Sequence, residues 1–246
     1  MKRILSTLAL AAVSMPAFAQ QKSGVITYRQ TFSVGNVPAG FPKERQFEKV
    51  LYFNDAASLY AENPKKKQQA EQYESGNTRI MIHGDGGESD HIIYTDLKAK
   101  RVIEQKDFFQ RLFLIGKDLP TLKWKITGQQ KTVIGFPCQE AVAANERDTI
   151  VAWFTTSIPV SSGPEALGGL PGMILEMTMA NGDMHMLATS VSAADNDVLA
   201  KLKAPVKGKK VTGAEYQQME TKKKEEMLKQ FGKNGGVIIM GGPGEH

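Results

Sequence analysis

The sequence predicts a mainly β protein: one antiparallel β-sheet, sandwich or open-barrel domain with a C-terminal helix. Three observations carry that reading. Short runs rich in β-branched and aromatic residues recur along the chain. Turn residues punctuate them about every ten residues. Only one long stretch, near the C-terminus, carries helical start and stop signals.

Strands are expected first over Gly24 to Val34 and Gln46 to Phe53. Thr78 to Ile82, His91 to Thr95, Arg101 to Gln105 and Gln110 to Ile115 follow. Leu122 to Thr127, Lys131 to Ile134, Gln139 to Ala144 and Thr149 to Thr155 continue the series, and Met173 to Met179 and Met184 to Val191 close it. Asn63 to Gly76 breaks the rhythm: it is polar, opens on Pro64 and reads as a short helix or a long loop. Gly213 to Phe231 reads as a helix, because Thr212 and Glu215 have capping-box spacing. Tyr216, Met219, Met227 and Phe231 give it a thin apolar stripe, and Gly232 stops it. Residues 232–246 form a glycine-rich tail with one apolar scrap, Val237 to Met240, readable as an edge strand or as disorder.

The last two strands can be paired from sequence. Asn181-Gly182 favours a two-residue type I′ turn, which sets Met179 against Met184, Met177 against Met186 and Leu175 against Ala188. Those six residues then share one apolar face; Ile174, Glu176, Thr178, His185, Leu187 and Thr189 share the other. Before this hairpin, Leu170-Pro171-Gly172-Met173 has the Pro and Gly positions of a type II turn. Gly168 and Gly169 permit backbone angles that a β-carbon hinders.

The N-terminus has the pattern of a cleaved export signal. Lys2 and Arg3 precede an apolar run from Ile4 to Val13, and Ala17-Phe18-Ala19 supplies the small residues of a cleavage site. Residues 1–19 are therefore expected to be removed, leaving one β-rich domain over 20–231. The run is too short to span a bilayer, and no later stretch approaches the roughly eighteen apolar residues of a membrane helix. The periplasm or the medium is the expected destination.

The formal net charge is +5, spread over short lysine runs without interleaved aromatics, which argues against nucleic acid as a partner. Cys138 is the only cysteine; no disulfide can form within the chain, and its apolar neighbours mark it as a small buried hydrophobe. Met184-His185-Met186 invites a copper reading, but on a strand His185 points away from both methionines. His83 and His91 flank a Gly/Asp loop without a third ligand. Asp148 and Glu176 are the carboxylates nearest the apolar centre, unpaired in the pattern, and Ser161-Ser162-Gly163-Pro164 is a turn without a nucleophile elbow. No constellation points to catalytic residues, to a metal site or to a cofactor.

One resemblance is specific. Ala152 to Thr155, Ile158 to Pro164 and, above all, Gly168-Gly169-Leu170-Pro171-Gly172-Met173-Ile174 resemble the signature of the GLPGLI family, with Met173 where the name motif has Leu. Leu51 to Asn54, Ser58 to Tyr60, Tyr94 to Asp96, Trp124 to Ile126 and Ile134 to Ala141 are similar too, so the likeness runs over about residues 24 to 230. It implies an exported protein of a family found mainly in Bacteroidota, all-β with a C-terminal helix. A similar domain stands at the N-terminus of a glycan-cleaving amidase, outside the catalytic part. The resemblance brings no catalytic residues with it.

The expectation is thus a non-catalytic envelope module that binds or scaffolds a glycan, peptide or protein. The expected contact residues are Trp153, Pro159, Gly163, Pro164, Leu170, Pro171, Gly172, Glu176 and His185. Two alternatives stand beside it: copper or zinc handling through His83, His91, His185 or the Met cluster, and a hydrolase with an unfamiliar site.

Overall fold

The computed structural model describes residues 21–33, 42–64, 71–75, 78–82, 91–144, 148–179 and 182–231; of 71–75, 78–82 and parts of the last helix only the backbone is described. The expected signal segment, His83, Asn181 and the glycine-rich tail lie outside these residues.

The chain builds β1 (Gly24–Ser33), β2 (Glu44–Phe53), β3 (Ala57–Glu62), β4 (Glu71–Ser75) and β5 (Thr78–Ile82). Then come β6 (Ile92–Asp96), β7 (Arg101–Phe108), β8 (Arg111–Asp118), β9 (Lys125–Val133) and β10 (Phe136–Ala144). β11 (Thr149–Thr155), β12 (Met173–Met179) and β13 (Met184–Ala193) precede a one-turn helix α1 (Asn196–Leu199), the short β14 (Lys209–Thr212) and α2 (Gly213–Phe231). Twelve of these strands form one open sheet in the order β14-β8-β7-β6-β3-β2-β1-β13-β12-β11-β10-β9, and β4 pairs with β5 apart from it. Every neighbouring pair is antiparallel except β14 with β8, so the sheet is mixed. The predicted class, mainly β with a C-terminal helix, holds.

The sheet curls. Val102 of β7 and Cys138 of β10 stand eight strands apart in the sheet order, about 38 Å if it were flat, yet both belong to one buried cluster. Ile158, Val160 and Ala166 of the loop between β11 and β12 complete that cluster, together with Ile26, Tyr28, Phe53 and Leu175. The same loop sends Leu167 and Leu170 into a second cluster with Phe154, Ile174, Met177 and Met186. The glycine-rich signature is thus a plug shared by two cores. Each fully buried Met or Leu side chain there contributes about 1.5–3 kcal/mol of transfer free energy.

Several expectations are corrected. Leu122 to Thr127 and Lys131 to Ile134 are not two strands: Leu122 and Trp124 pack beneath the second cluster, and one strand runs from Lys125 to Val133. β3 shows no alternation because Ala57 to Tyr60 are all buried, and β14 owes its existence to a distant partner, β8. Within the polar segment Asn63 to Gly76, residues 71–75 form β4 rather than helix or loop.

The hairpin register is as expected where it is described, with Met179 opposite Met184 and Met177 opposite Met186. Its faces are not. Trp153 pairs with Glu176 but Phe154 with Ile174, leaving Leu175 as the extra residue of a bulge. A bulge moves the following side chain across the sheet. Ile174, opposite Phe154, therefore lies on the face of Met177, which opposes Ala152, and packs in its cluster. The turn differs too: Gly169 has the left-handed φ of 88°, whereas Gly172, expected to supply it, does not.

The helix α2 starts as its sequence requires. The Thr212 N–H donates to Glu215 Oε2 at 2.7 Å and the Glu215 N–H to Thr212 Oγ1 at 3.2 Å, a reciprocal capping box. Tyr216 and Met219 seat it on Phe113 and Ile115 of β8. Among the described residues no helix is long and apolar enough to cross a membrane.

Candidate functional site

Directly opposed residues of an antiparallel sheet share a face, and one row of such pairs crosses six strands. Glu140 of β10 opposes Trp153 of β11, which opposes Glu176 of β12. Glu176 opposes Leu187 of β13, Leu187 opposes Arg29 of β1, and Arg29 opposes Glu48 of β2. A second row on the same face holds Thr178, His185, Thr31 and Gln46.

Glu176 is the hub. Its Oε2 lies 2.6 Å from the Lys131 Nζ, and its Oε1 accepts the His185 Nε2–H at 3.1 Å. A carboxylate oxygen accepts only, so Nε2 of His185 carries a proton. The Lys131 ammonium also sits 4.2 Å from the centroid of the half-buried Trp153 ring, a cation–π contact. At the far end of the row the Thr127 hydroxyl donates to Glu140 at 2.7 Å. At the other end a hollow of about 280 Å³ opens, lined by Arg29, Thr31, Glu44, Gln46 and His185 among others.

Trp153, Glu176 and His185, singled out from sequence, are therefore neighbours. The loop residues of the same set lie elsewhere: Gly163, Pro164, Leu170 and Gly172 are buried, and Pro159 and Pro171 are exposed. Arg29 and Lys131 were missed. Each stands in an unremarkable alternating strand, and only the long-range pairing shows what it faces.

The other candidates separate. His91 hydrogen-bonds Glu104 at 3.0 Å, and Glu104 also takes the Lys117 ammonium at 2.7 Å. Asp148 accepts the N–H of Thr149. Met186 accepts the Tyr60 hydroxyl and Met184 the Gln30 amide, so both thioethers have protein partners. Ser162 donates to Ser58 inside the core. Burial pushes the Cys138 thiol up to about 11, away from the thiolate that chemistry needs. Among the described residues no group of three His, Cys, Asp or Glu side chains is placed to hold a metal ion.

The family model described as N-glycanase peptide, N-terminal domain, matches residues 43–218. The chain belongs to that family. The matched N-glycanase N-terminal domain includes Lys131, Trp153, Glu176 and His185, while β1 with Arg29 precedes it. Two solved structures of PNGF-II share the fold over 80% of this chain. One, in space group P21, has a TM-score of 0.52 at 19% identity; the other, in C2, has 0.53 at 20%. This chain spans about a third of each, 33% and 32% respectively. No protein of curated function matches it.

Proposed function

We propose that this N-glycanase N-terminal domain is a non-catalytic binding module of the cell envelope, and that it holds a glycan across the face centred on Trp153. The observation that carries the reading is the row from Glu140 to Glu48, with one indole set among hydrogen-bonding side chains. Six strands present about 24 Å of such surface, enough for a short oligosaccharide. An indole offers an apolar plate to the CH face of a sugar, and the carboxylates, amide and hydroxyls around it match sugar hydroxyls. A ring stacked on Trp153 takes the place of the Lys131 ammonium, which then donates to the ligand.

The family's tie to an N-glycanase supports a glycan as the ligand. The site supports binding without turnover, because both Glu176 oxygens are engaged by Lys131 and His185 and neither is free to deliver a proton to a bond. The signal-like residues 1–19 and the GLPGLI-like signature support export to the envelope.

Calorimetric titration of the purified protein with free N-glycans tests the reading. Binding should weaken by about tenfold or more in Trp153→Ala, as for loss of a stacking contact worth a kcal/mol or more. A wild-type protein that binds no glycan would sink it. Cell fractionation tests the destination: removing residues 1–19 should trap the protein in the cytoplasm.

A further inference from the structure

We infer that the hollow at the Arg29 end of this face is an anion subsite, and that the glycan it takes carries an acidic sugar unit, with a carboxylate or a sulfate as the charged group. The inference rests on the binding-module reading and sharpens its ligand class.

The walls come from three strands. Arg29, Thr31 and Ser33 alternate along β1; Gln46 and Glu44 of β2 oppose Thr31 and Ser33; His185 and Leu187 come from β13, with Gly182 at the turn before it. Arg29 is the notable member. Lys49, Arg101, Lys106, Lys117 and Lys131 each have a carboxylate partner. Arg29 forms no ion pair among the described residues, although Glu48 stands directly opposite it. Glu48 takes the Asn63 amide instead. A guanidinium left over in a hollow, beside two hydroxyls and an amide, presents a planar fork of donors suited to carboxylate or sulfate oxygens.

The subsite is continuous with the Trp153 platform. His185 lines the hollow and also binds Glu176, whose other oxygen holds the lysine over Trp153. Arg29 and Trp153 are three strand spacings apart, about 14 Å, so one oligosaccharide can stack at one end and place its charge at the other. Glu44 on the rim opposes anions and keeps the hollow selective: it accepts sugar hydroxyls but repels a second charge.

The test compares three oligosaccharides of equal length, one neutral, one bearing a uronic acid and one sulfated, by calorimetry at low and high salt. Wild-type protein should prefer an acidic member by about tenfold or more, less so at high salt. Arg29→Gln should bring that member down to the neutral affinity without changing the melting temperature. Glu44→Gln should raise acidic affinity several-fold. Equal binding of neutral and acidic members, or an acidic preference that survives Arg29→Gln, overturns the subsite while leaving the Trp153 platform standing. No binding of any member overturns both. The uronate and sulfate arms decide which anion fits.

Discussion

A β-carbon placed on Gly172 would lie 2.1 Å from the carbonyl oxygen of Thr155. The obstacle is backbone, so no side-chain rotation relieves it. Thr155 is wholly buried and pairs with Met173, which pins both sides of the contact. Gly172→Ala should therefore cost about 3 kcal/mol or more, read as a lower urea midpoint at unchanged slope. Gly128 is the control. Its φ is 87° but nothing lies within 4 Å of a new β-carbon, so Gly128→Ala should cost only about 1–2 kcal/mol. Equal losses at the two glycines would contradict the close-contact account.

Lys131 is held over Trp153 by Glu176, so the indole should report on both partners. In a Trp124→Phe background, Lys131→Met keeps the stem and removes the charge; the Trp153 emission maximum should shift. Glu176→Gln should shift it the same way, because the ammonium loses its 2.6 Å anchor. Lys117→Met, in the other wing, should leave emission unchanged. Identical spectra for all four proteins would show that the contact is not populated in solution.

Burial pushes the Glu104 carboxyl up, but the His91 hydrogen bond and the Lys117 ammonium outweigh it and bring the group down from 4.5 to about 2. A depressed carboxyl stabilises the fold above its unfolded value and loses that contribution as pH falls through the folded one. The contribution is thus complete above about 4.5 and fades towards pH 2. Glu104→Gln should cost about 1–3 kcal/mol at neutral pH, and the gap to wild type should close across that window. Denaturation midpoints measured from pH 7 to pH 2 check it; a gap that stays constant with pH would assign the loss to packing instead.

The legible part of the fold was local. Alternation, Asn-Gly and Thr212-x-x-Glu215 describe interactions among residues close in sequence, and the predicted helix bounds, the position of most strands and the Met179–Met184 register follow from them. The illegible part was long-range. β14 is a four-residue Lys-Lys-Val-Thr segment whose strand state depends on β8. β3 is buried on both faces, which erases the period-two signal. Ile174 changed face because a bulge at Leu175 adds one residue to one strand, and strict alternation cannot anticipate that.

The candidate site divides in the same way. Trp153, Glu176 and His185 were picked by residue type and by a hairpin whose two strands adjoin in sequence. The glycine loop was picked with them, and it serves the interior: Leu170 fills a core and Gly172 lets two backbones meet. Arg29 reaches Leu187 across more than half the chain.

By itself the sequence determined the class of the protein, its C-terminal helix with its cap, and the Met hairpin, because each depends on periodicity or on contacts a few residues apart. Only the tertiary structure decided that the sheet curls, that the loop plugs two cores, and that Lys131 and Arg29 join Trp153 on one face. Those are consequences of strand order, and strand order is set by which distant surfaces bury each other best.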